Sequence, residues 1–200
     1  MNKNKIITIS RQYGSGGRIV GKLLAERLGI PFYDNELISL AAEKTGLSRE
    51  CFVNAEETSA GNLFLSLTTL TPSMESFGLP FNEKIFLVQS QIIKEVAEKG
   101  SCVIVGRSAD YVLSDMENCV HVFLQADLKN RIDRAITEYG LPVKNAESTV
   151  IKTDKRRANY YNYFTGLKWG KAENYDLILN TSRMDLEKIV DVIEKYVSLV

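Results

Sequence analysis

Gly14-Ser15-Gly16-Gly17-Arg18 follows directly on an apolar run, Lys5 to Ile9, and opens a helical pattern that continues to Leu28. A strand, a glycine-rich turn and a helix in that order make an anion cradle. Glycines let backbone N–H groups converge, and the helix N-terminus adds partial positive charge. The chemistry this suits is phosphate binding. The GxxxxGK pattern, followed by Ser or Thr, has one literal match at Gly16 and Gly21-Lys22, but Leu23 follows. That register puts the β-branched Ile19 and Val20 inside the loop and breaks the helical stripe, so the register ending the loop at Gly14-Ser15-Gly16 is preferred. Gly17 then stands where the lysine belongs and Arg18 where the Ser or Thr belongs. The lysine that reaches the β- and γ-phosphates is therefore absent, as is the hydroxyl that holds magnesium. Arg18 is the expected substitute for the charge. A cation in a first helical turn opposes the helix dipole, at a cost of roughly a few tenths of a kcal/mol unless an anion compensates.

Other charged residues fall where such a site would need them. Gly106-Arg107 closes an apolar strand, Ser101 to Val105, and open α/β sheets place ligands beyond the carboxyl ends of strands. A planar guanidinium fork matches paired phosphate oxygens; a structural ion pair is the alternative use of Arg107. Asp34 lies between a short strand and a helix, a position that serves either as an N-cap or as a ligand contact. Arg131 and Arg134 are three apart on a helix and share a face, which is either a phosphate-facing surface or a solvated one. Lys155-Arg156-Arg157 repeats the theme in a basic, tyrosine-rich helix.

The elements that must position these residues alternate. Strands are expected at Lys5–Ile9, Ile30–Tyr33, Ser101–Val105, Val120–Leu124 and Tyr175–Leu179. Helices are expected at Arg18–Leu28, Asn35–Lys44, Ser48–Glu57, Asn82–Lys99, Asp127–Tyr139 with Asp127 as cap, Glu147–Phe164 and Asp185–Val197. Alternation of this kind predicts a mostly parallel sheet covered on both faces. Residues 58 to 82 change character. They are rich in Ser, Thr, Gly and Pro with interspersed Leu and Phe, and read as an inserted segment that closes over a ligand or docks on a second subunit.

Two hundred residues suffice for one domain with a sizeable core. The 25 basic and 25 acidic residues cancel, so no global field recruits nucleic acid or an anionic membrane, and any anion site must be local. No apolar run reaches membrane-spanning length. Cys51, Cys102 and Cys119 have no CxxC spacing and point to a reducing, cytoplasmic setting without disulfide or zinc framework. His121, the single histidine, sits in an apolar run and reads as a core or strand-edge residue.

SRQYGSGGR, LLAERLGIPFYD, IVGRSADYVL, DKRRANYYNYF and YDLILNTS, in this order along nearly the whole chain, together resemble the cytidylate kinase-like family, a branch of the nucleoside monophosphate kinases. The resemblance implies a five-stranded parallel sheet sandwiched by helices, of the P-loop nucleoside monophosphate kinase type. It implies one domain over residues 1–200, with a monophosphate-binding subdomain at about 35–85 and an arginine-bearing lid at about 140–165. ATP would be bound by Gly14, Ser15, Gly16, Gly17 and Arg18, with Mg2+ expected. Asp34 would contact the acceptor nucleotide or organise magnesium water, and Arg107 would grip the acceptor phosphate. Arg131, Arg134 and Arg156 would be the lid arginines that neutralise the transferring phosphate. The acceptor would be CMP or dCMP. Alternatives are a same-fold kinase with another acceptor, and a nucleotide-binding regulatory module without turnover. The family's second lid arginine falls at Tyr160, and the aspartates flanking its Gly-Arg pair fall at Val105 and Ser108. Tyr160, Tyr163 and Phe164 share a face suited to core packing or to contact with a second subunit, with base stacking as the alternative.

Overall fold

The structure is a computed structural model that describes residues 4–50, 52 and 80–200. Five strands form one parallel sheet in the order β2-β3-β1-β4-β5. They are β1 (Ile6–Arg11), β2 (Phe32–Tyr33), β3 (Cys102–Val105), β4 (Cys119–Gln125) and β5 (Leu177–Asn180). The helices are α1 (Gly17–Leu28), α2 (Glu36–Thr45), α3 (Phe81–Glu98), α4 (Ala109–Val112), α5 (Leu128–Thr137), α6 (Val143–Thr165) and α7 (Leu186–Leu199). This is the mostly parallel sheet covered on both faces that the alternation of elements predicts, with the five strands that the resemblance implies.

The central strands are apolar on both faces because both are covered. Alternate residues along a strand point to opposite sides. Ile6, Cys102 and Ile104 therefore pack with α2 and α3, through Leu37, Ile38, Ile85, Ile92 and Ile93. Ile7, Ile9, Val103 and Val105 pack with α1 and α7, through Val20, Leu24, Ile189 and Ile193. Gly21 lies inside α1 because the helix presses on the sheet there. A Cβ at this position would stand 2.8 Å from Val105 Cγ2 and 3.1 Å from Phe32 Cε2. Lys22, beside it, is exposed and pairs with Glu26 at 3.7 Å. Gly29 ends α1 in a left-handed conformation, φ 64°.

Several boundaries move from their expected places, each for a local reason. The second strand shrinks to Phe32–Tyr33, because Pro31 has no N–H to donate, although its carbonyl still accepts from Val103 N at 2.9 Å. The last strand begins at Leu177, because residues 172–174 wind into a 3-10 turn that Tyr175 closes. α6 begins at Val143, four residues early, with Pro142 holding the N-cap position. Asp127 occupies the N-cap of α5 but makes no side-chain capping bond; its own N–H donates to Ser182 Oγ at 2.6 Å. The expected insertion at 58–82 lies outside the described residues up to 79; of the expected helix at 48–57, Ser48, Arg49, Glu50 and Phe52 are described and the rest lies outside them. Asn82 is buried in the first turn of α3. No helix among the described residues is long and apolar enough to cross a membrane.

Candidate phosphate-binding site

β1 ends at Arg11, and the chain turns through Gln12 to Gly16 into α1. Gly14 and Gly16 both have positive φ, 79° and 85°, a region that costs other L-residues about 1–2 kcal/mol. Close packing adds to the requirement. A Cβ on Gly14 would collide with the Arg131 carbonyl, and one on Gly16 would stand 2.9 Å from the Leu186 methyls. The turn is anchored from below and outside. Ser15 Oγ donates to Gln12 O at 2.8 Å, and Thr181 Oγ1 donates to Ser15 O at 2.8 Å. No side chain caps α1, and no acidic residue sits in its first turn. The first N–H groups of a helix have no intrahelical acceptor, so the turn presents donors and the dipole's positive end at one point.

Arg131 and Arg134 belong to the support of this turn. Arg131 donates to Ala126 O at 3.0 Å and to Tyr13 O at 3.3 Å, and pairs with Asp154 on α6. Asp154 also accepts from Tyr13 N at 2.6 Å. Arg134 donates to Gly14 O at 2.9 Å and its Nε lies 3.4 Å from Glu138. Both side chains are largely buried, at 10% and 16% exposed, so the alternative of a solvated helix face does not hold. Through Tyr13 O and Asp154, Arg131 ties the loop to α6.

A cavity of about 550 Å³ opens over the loop, lined by Arg11, Gly14, Gly17, Arg18, Asp34, Arg107 and Arg157 among others. A smaller recess of about 80 Å³ adjoins it, and Arg11, Arg107 and Arg157 line both. Arg107 reaches the cavity from a tight turn after β3. Gly106, Arg107 and Ser108 all have positive φ, at 80°, 58° and 52°. Two successive non-glycine residues in this region mark a strained turn, of the kind that clusters at functional sites. Asp34 is buried, but Asn35 holds the N-cap of α2. The Asp34 carboxylate instead meets Arg18 Nε at 2.7 Å and lies 4.0 Å from Arg11 Nη2. Arg18 is 63% exposed.

Arg156 is exposed and donates one turn back to Thr153 Oγ1 at 3.1 Å; it lines neither cavity. Its neighbour Arg157 does. Arg157 donates to Arg11 O at 3.0 Å and stacks over the Tyr13 ring at 5.5 Å. The signal was available in the helical spacing, because Ala146, Val150 and Tyr161 are the buried stripe of α6 and Arg157 falls on its line while Arg156 does not. Tyr160 and Phe164 pack with Phe86 of α3, and the Tyr163 hydroxyl donates to Glu83 at 3.2 Å.

Beneath the small recess, Asp110 accepts from Ser10 Oγ at 3.0 Å and from Tyr161 OH at 2.8 Å. Burial pushes its carboxyl above the usual carboxylate range, against these two bonds. Burial also pushes the Cys102 thiol up to about 11, which keeps it an inert core thiol. His121 on β4 is part-buried and bonds Thr8 Oγ1 through Nδ1 at 2.8 Å.

Magnesium finds no evident seat among these residues. Position 18 carries a guanidinium, Asp34 is engaged by Arg18, and no three His, Cys, Asp or Glu side chains among the described residues come together as metal ligands.

Fold and site thus define a P-loop kinase scaffold with an arginine-lined cavity over its glycine loop. The chain belongs to the cytidylate kinase-like family, whose pattern matches residues 6–183. It is 25% identical to the cytidylate kinase of Saccharolobus islandicus strain Y.G.57.14 over 196 residues, covering 98% of this chain and 92% of that one. A stretch of 119 residues is 30% identical to the uronate isomerase of Corynebacterium glutamicum, and covers 59% of this chain but only 23% of that protein. Among solved structures, an uncharacterized protein from Eubacterium ventriosum ATCC 27560 superposes with a TM-score of 0.73 at 30% identity, over 97% of this chain and 98% of that one. The shikimate kinase of Bacteroides thetaiotaomicron shares the fold, with a TM-score of 0.58 at 18% identity over 97% and 98% of the two chains.

Proposed function

We propose that this protein is an ATP-dependent kinase that transfers a phosphoryl group to a nucleoside monophosphate, with CMP or dCMP as the acceptor. One observation carries the reading. Four arginines, Arg11, Arg18, Arg107 and Arg157, line a single cavity over a glycine loop at a helix N-terminus. Two carboxylates, Asp34 and Glu138, line the same cavity, so cations outnumber anions there in a chain whose net charge is zero. A site of that composition suits two phosphorylated ligands facing each other. Phosphoryl transfer needs positioning and charge stabilisation more than covalent chemistry, and an acceptor phosphate oxygen is already a nucleophile.

In this reading the loop from Gly14 to Arg18 holds the ATP phosphates. Arg107 and Arg157 face the small recess and hold the acceptor phosphate. Arg131 and Arg134 fix the loop carbonyls from outside, and Arg156 joins only if α6 moves toward the cavity. The names of the cytidylate kinase relatives support a cytidine acceptor. A second reading, a nucleotide-binding module without turnover, is favoured by the glycine at position 17 and the unsuitable metal ligand set. A coupled ADP-release assay separates them. CMP, dCMP, UMP and AMP would be compared with shikimate and gluconate at fixed ATP. ADP release that depends on a pyrimidine monophosphate is expected. Release only with a non-nucleotide acceptor would move the substrate class, and no release with tight ATP binding would favour the second reading.

A further inference from the structure

In the loop register that the fold adopts, with Gly16 at the N-cap and Gly17 as the first residue of α1, the first glycine of the GxxxxGK pattern falls at Arg11. The pattern's cation and its first glycine have changed places. Glycine stands at the lysine position, and an arginine stands at the glycine position, five residues before Gly16. The side-chain geometry fits this exchange. A Cβ on Gly17 would stand 2.7 Å from Arg11 Cβ and 2.8 Å from its Cγ, so the Arg11 stem fills the space that a side chain at position 17 would need. The Arg11 guanidinium then lies over Gly106, where a Cβ would collide with Nη1 and stand 3.0 Å from Cζ. Two glycines on different elements thus make the channel for one arginine. Its head lines both the large cavity and the small recess, is 20% exposed, and has Asp34 Oδ1 4.0 Å from Nη2.

We propose that Arg11, not Arg18, takes the place of the missing lysine, and that its guanidinium binds the terminal phosphate of the donor nucleotide at the boundary with the acceptor recess. Arg18 spends its Nε on Asp34 and projects outward, whereas Arg11 is held between the two spaces. An arginine fork contacts two phosphate oxygens where a lysine contacts one. This assignment rests on the kinase reading but is tested separately from it.

The experiment is a swap. ATP and adenosine are titrated calorimetrically into the unaltered chain and into Arg11→Ala, Arg11→Lys, Gly17→Lys and the double variant Arg11→Gly/Gly17→Lys, each checked for folding by circular dichroism. Arg11→Ala is expected to weaken ATP roughly tenfold to a hundredfold with adenosine unchanged, the size of a charge-assisted contact. Arg11→Lys should recover part of the loss. Gly17→Lys alone should weaken ATP, because the new side chain meets Arg11. The same lysine in the Arg11→Gly background should restore affinity to within a few fold, a reversal of sign that a merely structural arginine would not give. ATP binding that survives Arg11→Ala and Arg11→Lys unchanged, or a double variant no better than Gly17→Lys alone, would overturn the assignment while leaving the kinase reading in place. An unaltered chain that binds no ATP would overturn both.

Discussion

Gly29 and Gly106 both hold left-handed backbone, φ 64° and 80°, yet they stand in different surroundings. A Cβ on Gly29 meets nothing within 4 Å, whereas one on Gly106 meets the Arg11 guanidinium. Alanine at either position should cost about 1–2 kcal/mol of backbone energy, lowering the melting temperature by roughly 2–8 °C in a chain of this size. Only Gly106→Ala should also weaken ATP, because only there does the methyl displace the Arg11 guanidinium proposed to bind phosphate. Thermal melts paired with calorimetry check this, and equal ATP affinity in the two variants would count against the site. Arg18→Ala belongs at the same scale. The Arg18 Nε is engaged by Asp34 and the side chain is exposed, so ATP should weaken less than in Arg11→Ala.

At the scale of elements, the glycine loop is held by helices distant in sequence. Arg131 on α5 pairs with Asp154 on α6, and both bond the backbone of Tyr13. Removing one partner of such a nearly buried pair leaves the other uncompensated, at a cost of about 3–5 kcal/mol. Urea unfolding of Arg131→Met, Asp154→Asn and the double variant should therefore be strongly non-additive, with the double costing less than the sum of the singles. Additive losses would mean that the pair does not couple the loop to the two helices. These supports explain how far the sequence could be read. The strand, glycine turn and helix of the loop were legible because they are contiguous and each has a local pattern. The position of Arg107 at the cavity was legible because it ends an apolar strand. Arg131 and Arg134 were recognised as a pair on one face, but nothing local reveals that this face meets the carbonyls of Tyr13 and Gly14. Arg156 and Arg157 differ by a rotation of about 100° around a helix, and only the buried stripe of α6 decides that it is Arg157 that lines the cavity. Arg11 carries no local signal, because strand position and loop pattern overlap there, and its placement depends on two glycines brought together by tertiary packing.

At the scale of the whole molecule, His121 within β4 and Asp110 in the short helix after β3 are two titratable groups with opposite effects on stability. Burial lowers the His121 imidazole below its ordinary 6.5, against the pull of Asp110 and Asp176. Its contribution to stability is fully present above 6.5 and is lost as pH falls through the folded value, because the unfolded chain takes up a proton that the folded chain resists. Asp110 is raised above its ordinary 3.8 by burial, so its contribution is present below 3.8 and lost as pH rises through the folded value. Urea unfolding between pH 7.5 and 5 (roughly spanning the ordinary imidazole range) should show that His121→Gln removes part of the acid loss. Proton resonances of this single histidine should titrate below 6.5, and a midpoint above that value would contradict the burial of the ring. In the proposed reaction a phosphoryl group passes between two ligands across the arginine-lined cavity. Phosphorus NMR of ATP and CMP with the protein in magnesium-containing buffer follows that transfer directly. The account predicts loss of the ATP γ-phosphate signal with matching growth of the CDP β-phosphate signal. ATP that stays intact, or that yields only free phosphate while CMP is unchanged, would contradict it.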